Sequence, residues 1–296
     1  METERCRILL CALERGSLTA AAETLGYTPS GVSRGVTALE ETLGVPLLLR
    51  GRDGIHPTRD CEALLPELRE LVRRADRCEE LASQLRGLTS GSITVASSYH
   101  AYDRWLVGVA AEFGRRYPGI HVRIQEGTCS DLVAYLERGE LDFAIISRRD
   151  GNFRWRLLRQ DPMMVWVPRG HPAEKAGHFP QEALKTEPYI ETHPGQETDQ
   201  SRILEERGIR PNIRYATSNI YTACAMVEAG LGVTLMNGIV APMAGSAVAA
   251  VPLDPPVFTE IGAALPPEAD ISPAAKRFAD FAQEQLLTLR GEEGKQ

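Results

Sequence analysis

The chain has 296 residues, of which 43% are hydrophobic and 25% are charged, and its formal net charge is −7. This length exceeds the usual size of one domain, so we expect at least two domains. The composition is that of an ordinary soluble globular protein and excludes a disordered or repeat-built chain.

Targeting and metal-binding patterns are absent from the sequence. No window approaches the roughly 18 consecutive apolar residues of a membrane helix, and the N-terminus lacks a signal-peptide pattern, so we expect a cytoplasmic protein without membrane contacts. The cysteines show neither CxxC nor Cys/His ligand spacing, so we expect reduced thiols, no metal site and no cofactor. The cysteines are Cys6, Cys11, Cys61, Cys78, Cys129 and Cys224.

Near the N-terminus, two short helices joined by a tight turn are predicted. Apolar residues recur at the i, i+3, i+4, i+7 spacing of one helical face, and Ser17 can cap the helix start. These apolar residues are Leu18, Ala21, Ala22 and Leu25. Gly26 can then take the left-handed conformation that ends a helix, Thr28 can cap the next helix, and Pro29 suits its first turn.

The second helix has two distinct faces. One face is apolar and carries Val32, Val36, Leu39 and Leu43, and the other carries Ser30, Ser33, Arg34 and Thr37. Hydroxyls and an arginine can donate to bases and phosphates in a major groove ~12 Å wide, and Gly31 and Gly35 would keep this surface slim. We therefore interpret this helix as a DNA-recognition helix. The alternative is an ordinary helix pair with a solvated polar face.

A β-hairpin is predicted directly after these helices. Two short apolar runs flank the turn-forming residues 51–54, which favours a wing with Arg50 and Arg52 near its tip. Residues 1–58 carry six arginines against seven carboxylates, so net charge does not by itself support DNA binding. The prediction depends on the local placement of cations. The DNA-binding residues predicted from this pattern are Thr28, Pro29, Ser30, Ser33, Arg34, Thr37, Arg50 and Arg52.

The run GSLTAAAETLGYTPSGVSRGVTALEETLGVPLLLR, followed by a glycine-bearing wing and Thr58, resembles the N-terminal domain of the LysR-type transcriptional regulators. The resemblance implies that Ser33 and Arg34 lie at the surface of double-stranded DNA. Two features depart from the family pattern. Pro29 stands where many members carry glutamine, and Asp60-Cys61 replaces the usual small pair after the wing threonine. Pro29 removes a common base-reading amide, which bears on operator preference.

A long helix is predicted from Arg59 to about Arg86, and its apolar positions step by four and three residues. These positions are Leu64, Leu68, Leu71, Ala75, Cys78, Ala82 and Leu85. Such a heptad seam favours a coiled-coil homodimer, and the resemblance identifies the helix as the family's linker helix. The alternative is a helix packed on its own domain, because Leu81 widens the apolar stripe. The residues Thr89-Ser90-Gly91 would form the hinge.

Beyond Gly91 strands alternate with helices, which predicts an α/β domain with a parallel sheet. The predicted strands cover residues 92–97, 121–125, 141–147, 163–168, 189–191, 213–216 and 233–236, with helices between several of them. The phrases ALERGELDFAIIS and AMVEAGLGVTLM resemble the effector domain of the same family. That resemblance implies two lobes, as in periplasmic solute-binding proteins, with a ligand held between them.

The predicted fold class is α plus α/β: a winged helix-turn-helix, a linker helix and a two-lobed effector domain. The predicted domains are residues 1–58, the linker and hinge 59–90, and the effector domain 91–296. The first lobe would take about 91–161 plus 268–296, and the second about 162–267. The final helix, from Pro273 to about Leu289, returns to the first lobe by family analogy.

Effector-binding residues are predicted in the loops after the carboxyl ends of the strands, near helix N-termini that favour anions. These residues are Ser97, Ser98, Tyr99, Thr128, Ser130, Arg148, His193 and Asn219. The resemblance favours Ser98, Tyr99 and Thr128. Hydroxyls, helix ends and Arg148 favour a small organic anion as effector. The alternative for Ser98, Thr128 and Ser130 is ordinary helix capping in an empty cleft.

The sequence also bears on three other functions. An enzyme is disfavoured because no GxSxG, HExxH, P-loop or GxGxxG motif occurs. A redox sensor would use Cys129 in a predicted ligand loop and Cys224 on a helix near the opposite wall. A plain solute-binding protein does not account for the extra N-terminal domain. The family resemblance further implies a tetramer of two linker-helix dimers that recruits RNA polymerase, with effector binding changing the spacing of the DNA-binding pairs.

Overall fold

A computed structural model describes residues 3–51, 54–85 and 91–293 of the chain. The chain divides into two compact units, Met1–Gly91 and Ser92–Gln296. None of the helices in these described ranges is long and apolar enough to cross a membrane. The N-terminal unit contains α1 (Thr3–Arg15), α2 (Leu18–Leu25), α3 (Pro29–Leu43), β1 (Leu48–Gly51), β2 (Gly54–Pro57) and α4 (Arg59–Leu85).

The predicted helix-turn-helix is confirmed. The side chain of Ser17 accepts a hydrogen bond at the start of α2, and Gly26 ends that helix in the left-handed conformation with φ 69°. The side chain of Thr28 accepts from the amide of Gly31, and Pro29 is the first residue of α3. Local capping chemistry alone therefore accounts for the turn between the two helices.

The core of the N-terminal unit also depends on α1, a helix that was not predicted from the sequence. Leu9 of α1 is fully buried among Ala21 of α2, Val36 of α3 and Leu47 before β1. These contacts bury the apolar face of α3 and leave its polar face outward. The packing therefore fixes which side of α3 faces solvent.

The wing is an antiparallel pair of β1 and β2, with Arg50 opposite Ile55. The amide of Ile55 donates to the carbonyl oxygen of Gly16 at 3.1 Å. Gly54 has φ 120°, and a Cβ atom there would lie 2.7 Å from the same oxygen. The wing is thus held against the turn between α1 and α2. Arg52 lies outside the described residues.

The long helix α4 begins as a continuation of this packing. Thr58 donates its hydroxyl to the carbonyl of Pro46 at 2.7 Å and accepts from the amide of Cys61 at 3.0 Å. Cys61 and Leu68 are buried against the N-terminal core. Farther along, Cys78 is exposed. The first half of α4 therefore packs on its own unit, while seam position 78 faces solvent in the single chain. The predicted hinge residues Thr89 and Ser90 lie outside the described residues.

The C-terminal unit is a two-lobed α/β domain. In chain order it contains β3 (Gly91–Ser97), α5 (Asp103–Arg116), β4 (Ile120–Gln125), α6 (Cys129–Glu137), β5 (Phe143–Ser147), β6 (Arg154–Pro168), α7 (Pro172–Ala176), β7 (Phe179–Pro180), β8 (Pro188–Thr192), α8 (Asp199–Glu206), β9 (Asn212–Thr217), α9 (Ile220–Glu228), β10 (Thr234–Asn237), β11 (Val248–Asp254), β12 (Phe258–Leu265) and α10 (Pro273–Glu293).

The first lobe contains the strand order β4-β3-β5-β12-β6. β3 and β5 are parallel, but β12 runs antiparallel to both β5 and β6. The expectation of a parallel sheet was therefore wrong for part of this sheet. The physical reason is the route of the chain, because β12 enters from the second lobe instead of crossing over through a helix.

The second lobe is built around the other half of β6. β10 and β11 both pair antiparallel with this half, and β7 pairs parallel with β11. β8 and β9 form a separate parallel pair. The 15-residue strand β6 therefore belongs to both lobes. The sequence predicts neither the first half of β6 nor the strands β11 and β12.

The chain returns to the first lobe at β12, where Ile261 pairs with Ser147 of β5. The sequence predicts this return at about residue 268, after that strand. α10 then packs on the first lobe through Phe278, whose ring centroid lies 5.1 Å from that of Phe113 and 5.5 Å from that of Phe143. Edge-to-face aromatic contacts of this kind anchor the final helix.

Candidate DNA-binding surface and effector cleft

The polar face of α3 is presented to solvent. The residues predicted to bind DNA on this face are exposed, except Ser33, which is half-buried; they are Thr28, Pro29, Ser30, Ser33, Arg34 and Thr37. The opposite face is buried through Val32, Val36 and Leu39. The surface therefore combines hydroxyl groups with a cation, the groups that donate to bases and phosphates.

The wing brings a second cation to this face. Arg50 of β1 donates through Nη2 to the hydroxyl of Ser33 at 3.2 Å, and Arg34 donates through Nε to the carbonyl of Ser30 at 3.3 Å. Two guanidinium groups are thus associated with one turn of α3. Together they form a small positive patch in a unit whose net charge is not basic.

The two glycines of α3 have different surroundings from those expected. A Cβ atom on Gly35 would lie 2.9 Å from Cδ1 of Ile8 in α1, so Gly35 allows α1 and α3 to approach closely. The prediction that Gly35 slims the DNA-facing surface was wrong, because this position faces the protein interior. A Cβ atom on Gly31 would lie 3.1 Å from the hydroxyl of the helix cap Thr28.

In the effector domain, the loop after β3 is organised by its own hydrogen bonds. Ser97 donates its hydroxyl to the carbonyl of Tyr99 and accepts from the amide of Tyr99, both at 3.0 Å. The hydroxyl of Ser98 donates to the carbonyl of Ile145 at 3.3 Å. These two serines stabilise the turn, and the turn directs Tyr99 into the protein, where it is buried.

Several other predicted effector residues cap helices. Thr128 forms a capping box with Asp131 at the start of α6, and Asn219 caps α9 by accepting from two backbone amides. Ser130 differs, because its hydroxyl donates to the carbonyl of Glu197 in the second lobe at 3.3 Å. The alternative of ordinary capping, given for Ser98, Thr128 and Ser130, therefore describes Thr128 in this structure, and Asn219 caps a helix as well.

His193 lies after β8 in the second lobe. It has a left-handed backbone with φ 54°, which is uncommon for a residue other than glycine. Burial, and then the charge of nearby His100 in the first lobe, lower the pKa of His193 below its usual value.

The side chains of the two consecutive arginines after β5 lie in different environments, one exposed to solvent and one buried. Arg148 is 69% exposed and donates to Glu260 at 3.0 Å. The side chain of Arg149 is only 9% exposed, and its guanidinium donates to the carboxylate of Asp199 at 2.9 Å. The structure thus turns Arg149, and not the predicted Arg148, toward the second lobe. A sequence cannot specify which of two residues turns inward once a strand has ended.

A buried polar cluster joins the lobes at this point. The carboxylate of Asp199, 7% exposed, accepts hydrogen bonds from the hydroxyls of Tyr99 at 2.5 Å and Ser147 at 2.6 Å. It also accepts from Arg149, and from the amide nitrogen of Asn237 at 3.2 Å. Burial, and then the charge of Asp199, raise the pKa of Tyr99 well above its usual value, so the phenol keeps its proton.

Two members of this cluster, Asp199 and Asn237, lie outside the predicted effector loops, whereas Ser147 and Arg149 flank the predicted Arg148 in the loop after β5. Asp199 directly follows the helix cap Thr198. A carboxylate in the first turn of a helix commonly stabilises the helix, so its position in the sequence did not indicate a binding role. Asn237 ends a fully buried strand. A polar residue at the end of such a strand is the signal that could have identified it.

The two cysteines considered for redox sensing are held as thiols. Burial is the main cause that raises the pKa of both Cys129 and Cys224. The sulfur of Cys129 lies 3.2 Å from the hydroxyl of Ser147, and Cys224 donates to the carbonyl of Ala244. Both cysteines are free in this structure. A raised thiol pKa lowers the fraction of reactive thiolate at neutral pH.

Comparisons with known proteins agree with this architecture. Residues 3–62 match the profile of the "Bacterial regulatory helix-turn-helix protein, lysR family", and residues 86–287 match that of the "LysR substrate binding domain". The "HTH-type transcriptional regulator TtuA" of Agrobacterium vitis is 29% identical over 300 residues, which cover 98% of this chain and 96% of the relative.

Solved structures share the fold. A full-length variant of OxyR from Pseudomonas aeruginosa aligns with a TM-score of 0.74 and 20% identity, covering 97% of this chain and 94% of that one. Full-length CbnR in complex with its target DNA aligns with a TM-score of 0.61 and 21% identity, covering 96% and 100% of the two chains. The chain belongs to the LysR family of DNA-binding transcriptional regulators, which are not enzymes and bind small-molecule effectors in their substrate-binding domain.

Proposed function

We propose that this regulator reads its operator through the exposed face of α3 and the wing. The contact between Arg50 and Ser33, which associates the cation of the wing with the recognition helix, is the observation that supports this most strongly. In this proposal Ser30, Ser33, Arg34 and Thr37 approach bases and phosphates, while Arg50 approaches the backbone. Thr28 and Pro29 fix the start of the helix at the DNA surface, and Arg52 keeps its sequence-based assignment to the wing.

Removing the cation of Arg34 tests this assignment. We expect Arg34→Ala to weaken binding to the operator and to lower the salt slope of log affinity by about one, because one phosphate-directed charge is lost. Arg115→Ala, at an exposed arginine of α5, is the matched control and should change neither quantity. Unchanged affinity and salt slope in Arg34→Ala would refute the role.

The effector is proposed to be a small organic anion bound between the lobes. A guanidinium and two hydroxyls that converge on a carboxylate in the cleft support this class. Around them, Ser130 and His193 would contribute to the rim of the site, and Ser97, Ser98, Thr128 and Asn219 would hold the loops in place. Arg148 leaves the proposed set because its guanidinium pairs with Glu260.

A thermal-shift screen tests the effector class. Small carboxylates should raise the unfolding temperature of the C-terminal unit in proportion to their affinity, since a ligand that binds only the folded state stabilises it. Neutral analogues of the same shape serve as controls. A screen in which neutral compounds stabilise the protein and no carboxylate does would contradict the proposal.

The assembly is proposed as a dimer through the linker helix and a tetramer through the effector domains. Exposure of Cys78 and of Leu81 on α4 in the single chain supports the linker contact. Exposed apolar residues on the strands β4 and β9 support the effector-domain contact; they are Ile124, Ile213 and Tyr215. The same proposal places the domain limits at 1–58, 59–90 and 91–296. It also includes a cytoplasmic location and the recruitment of RNA polymerase.

Sedimentation equilibrium tests the assembly. We expect Leu81→Glu to separate the tetramer into smaller species, because Leu81 borders the heptad seam and a charge that dimerisation buries there is unfavourable. Glu79→Gln, at an exposed position of the same helix, is the control. A Leu81→Glu protein with the mass of the wild type would contradict the linker contact.

A further inference from the structure

The carboxylate of Asp199 occupies a ring of donors that resembles a ligand-binding site. Tyr99, Ser147 and Arg149 donate to it from the first lobe, and Asn237 donates from the second. Arg149 also donates to the hydroxyl of Ser147, which orients that hydroxyl toward the carboxylate. A carboxylate bound by one guanidinium, two hydroxyls and one amide is held as a protein holds an anionic ligand.

The positions of the donors decide what the ring does. The three strongest donors belong to the first lobe, where Tyr99 follows β3 and Ser147 ends β5. Asp199 belongs to the second lobe, at the start of α8. Asp199 is therefore bound by the first lobe as a ligand attached to the second. The buried Nε of Arg149 makes no hydrogen bond, and its contact with Oε1 of Glu197 in the second lobe is an ion pair at 3.9 Å.

We propose that Tyr99, Ser147 and Arg149 form a carboxylate-binding subsite, and that Asp199 is its internal occupant. A carboxylate-bearing effector binds there by displacing Asp199 into solvent. This inference rests on the proposal that the effector binds in the cleft. Binding exchanges one carboxylate for another on the same donors, so the remaining atoms of the effector determine its affinity. Displacement also breaks the hydrogen bonds that Asp199 makes between the lobes, which couples binding to lobe position.

The subsite can be tested without knowledge of the effector. Asp199→Ala removes the carboxylate group and keeps Cβ, and acetate supplies a carboxylate that carries a single methyl group. We expect acetate to fill the vacated position in the full-length Asp199→Ala protein. At about 100 mM acetate the unfolding temperature should rise by about 3 °C or more over the same protein in chloride of equal ionic strength. Acetamide, the neutral analogue, should have no such effect.

Two controls connect the response to the ring of donors. The wild type should respond to acetate only at concentrations at least tenfold higher, because Asp199 competes for the donors. The double variant Asp199→Ala/Arg149→Gln should not respond, because it lacks the guanidinium. If Asp199→Ala does not fold, Asp199→Asn serves instead, since its neutral amide competes less well than a carboxylate. Its half-saturating acetate concentration should then lie at least tenfold below that of the wild type.

Three results would overturn the inference. One is a folded Asp199→Ala protein that acetate stabilises no more than chloride does. Another is an equal acetate response in the double variant. The third is stabilisation of the wild type by methylammonium without any acetate response, which would make Asp199 the partner of a cationic effector. Failure of the effector proposal alone gives a different result from failure of the subsite. In that case acetate still stabilises Asp199→Ala, but no carboxylate alters DNA binding.

Discussion

Replacing Arg149 by glutamine removes the only guanidinium among the four donors described around the carboxylate of Asp199. Both side chains are nearly buried, at 9% and 7% exposed, so solvent screens their interaction little. Breaking a buried ion pair costs about 3–5 kcal/mol, chiefly because the remaining charge is left uncompensated. Asp199 would still accept from Tyr99, Ser147 and Asn237, so we expect the lower end of that range, about 3 kcal/mol.

Intrinsic tryptophan fluorescence reports this loss of stability for the C-terminal unit, which contains the ion pair. Trp105, Trp155 and Trp166 all lie in the C-terminal unit, and they are the three tryptophans of the chain. A loss of about 3 kcal/mol should lower the fluorescence-detected unfolding temperature by about 6–12 °C for a domain of this size.

The neighbouring arginine provides a matched control. Arg148→Gln removes an exposed pair with Glu260, which contributes about 1 kcal/mol or less, so its unfolding temperature should change by at most about 4 °C. Adding Asp199→Asn to Arg149→Gln removes the uncompensated charge and should recover part of the loss. Equal shifts for the two arginine variants, or no recovery in the double variant, would refute the reasoning.

Three further predictions concern other parts of the molecule. Gly54→Ala should destabilise the N-terminal unit by about 2 kcal/mol, since residue 54 has φ 120° and the new Cβ would lie 2.7 Å from the carbonyl oxygen of Gly16. Faster hydrogen exchange in α1 and α2 would support this prediction, and unchanged exchange would contradict it. Burial raises the pKa of Cys129, so a thiol reagent at pH 8 should modify half-buried Cys11 first and Cys129 only on unfolding; equal rates in the native protein would show otherwise. Burial lowers the pKa of His193, so the unfolded chain binds a proton there that the folded chain does not, and stability falls as pH drops below about 6.5. In His193→Asn, which tolerates the left-handed backbone, the fluorescence-detected unfolding temperature should fall less over this range, and an identical slope would count against the assignment.

The DNA-binding half could be predicted in detail because its signals are local. Ser17, Gly26 and Thr28 specify the ends of two helices through neighbours no more than four residues away. The burial of Val32 and Val36 then determines which face of α3 is outward. The placement of Gly35 against Ile8 could not be predicted, because it depends on the packing of α1.

The effector half was predicted as an architecture but not as a site. Tyr99 and Asp199 are 100 residues apart in the chain, and Ser147 and Asp199 are 52 apart, so no local spacing connects them. The choice between Arg148 and Arg149 depends on how the chain leaves β5. The pairing of β12 with β5 and β6 likewise reflects the long return from the second lobe. Such contacts arise from tertiary packing, which periodicity does not encode.

Footprinting of the purified protein on the DNA upstream of its own gene, with and without small carboxylates, tests the central claim most directly. The account predicts a protected region for the wild type that Arg34→Ala weakens. It also predicts that at least one carboxylate changes the extent of protection, and that Arg149→Gln abolishes this change. Protection that Arg34→Ala leaves intact, or a carboxylate response that persists in folded Arg149→Gln, would contradict it.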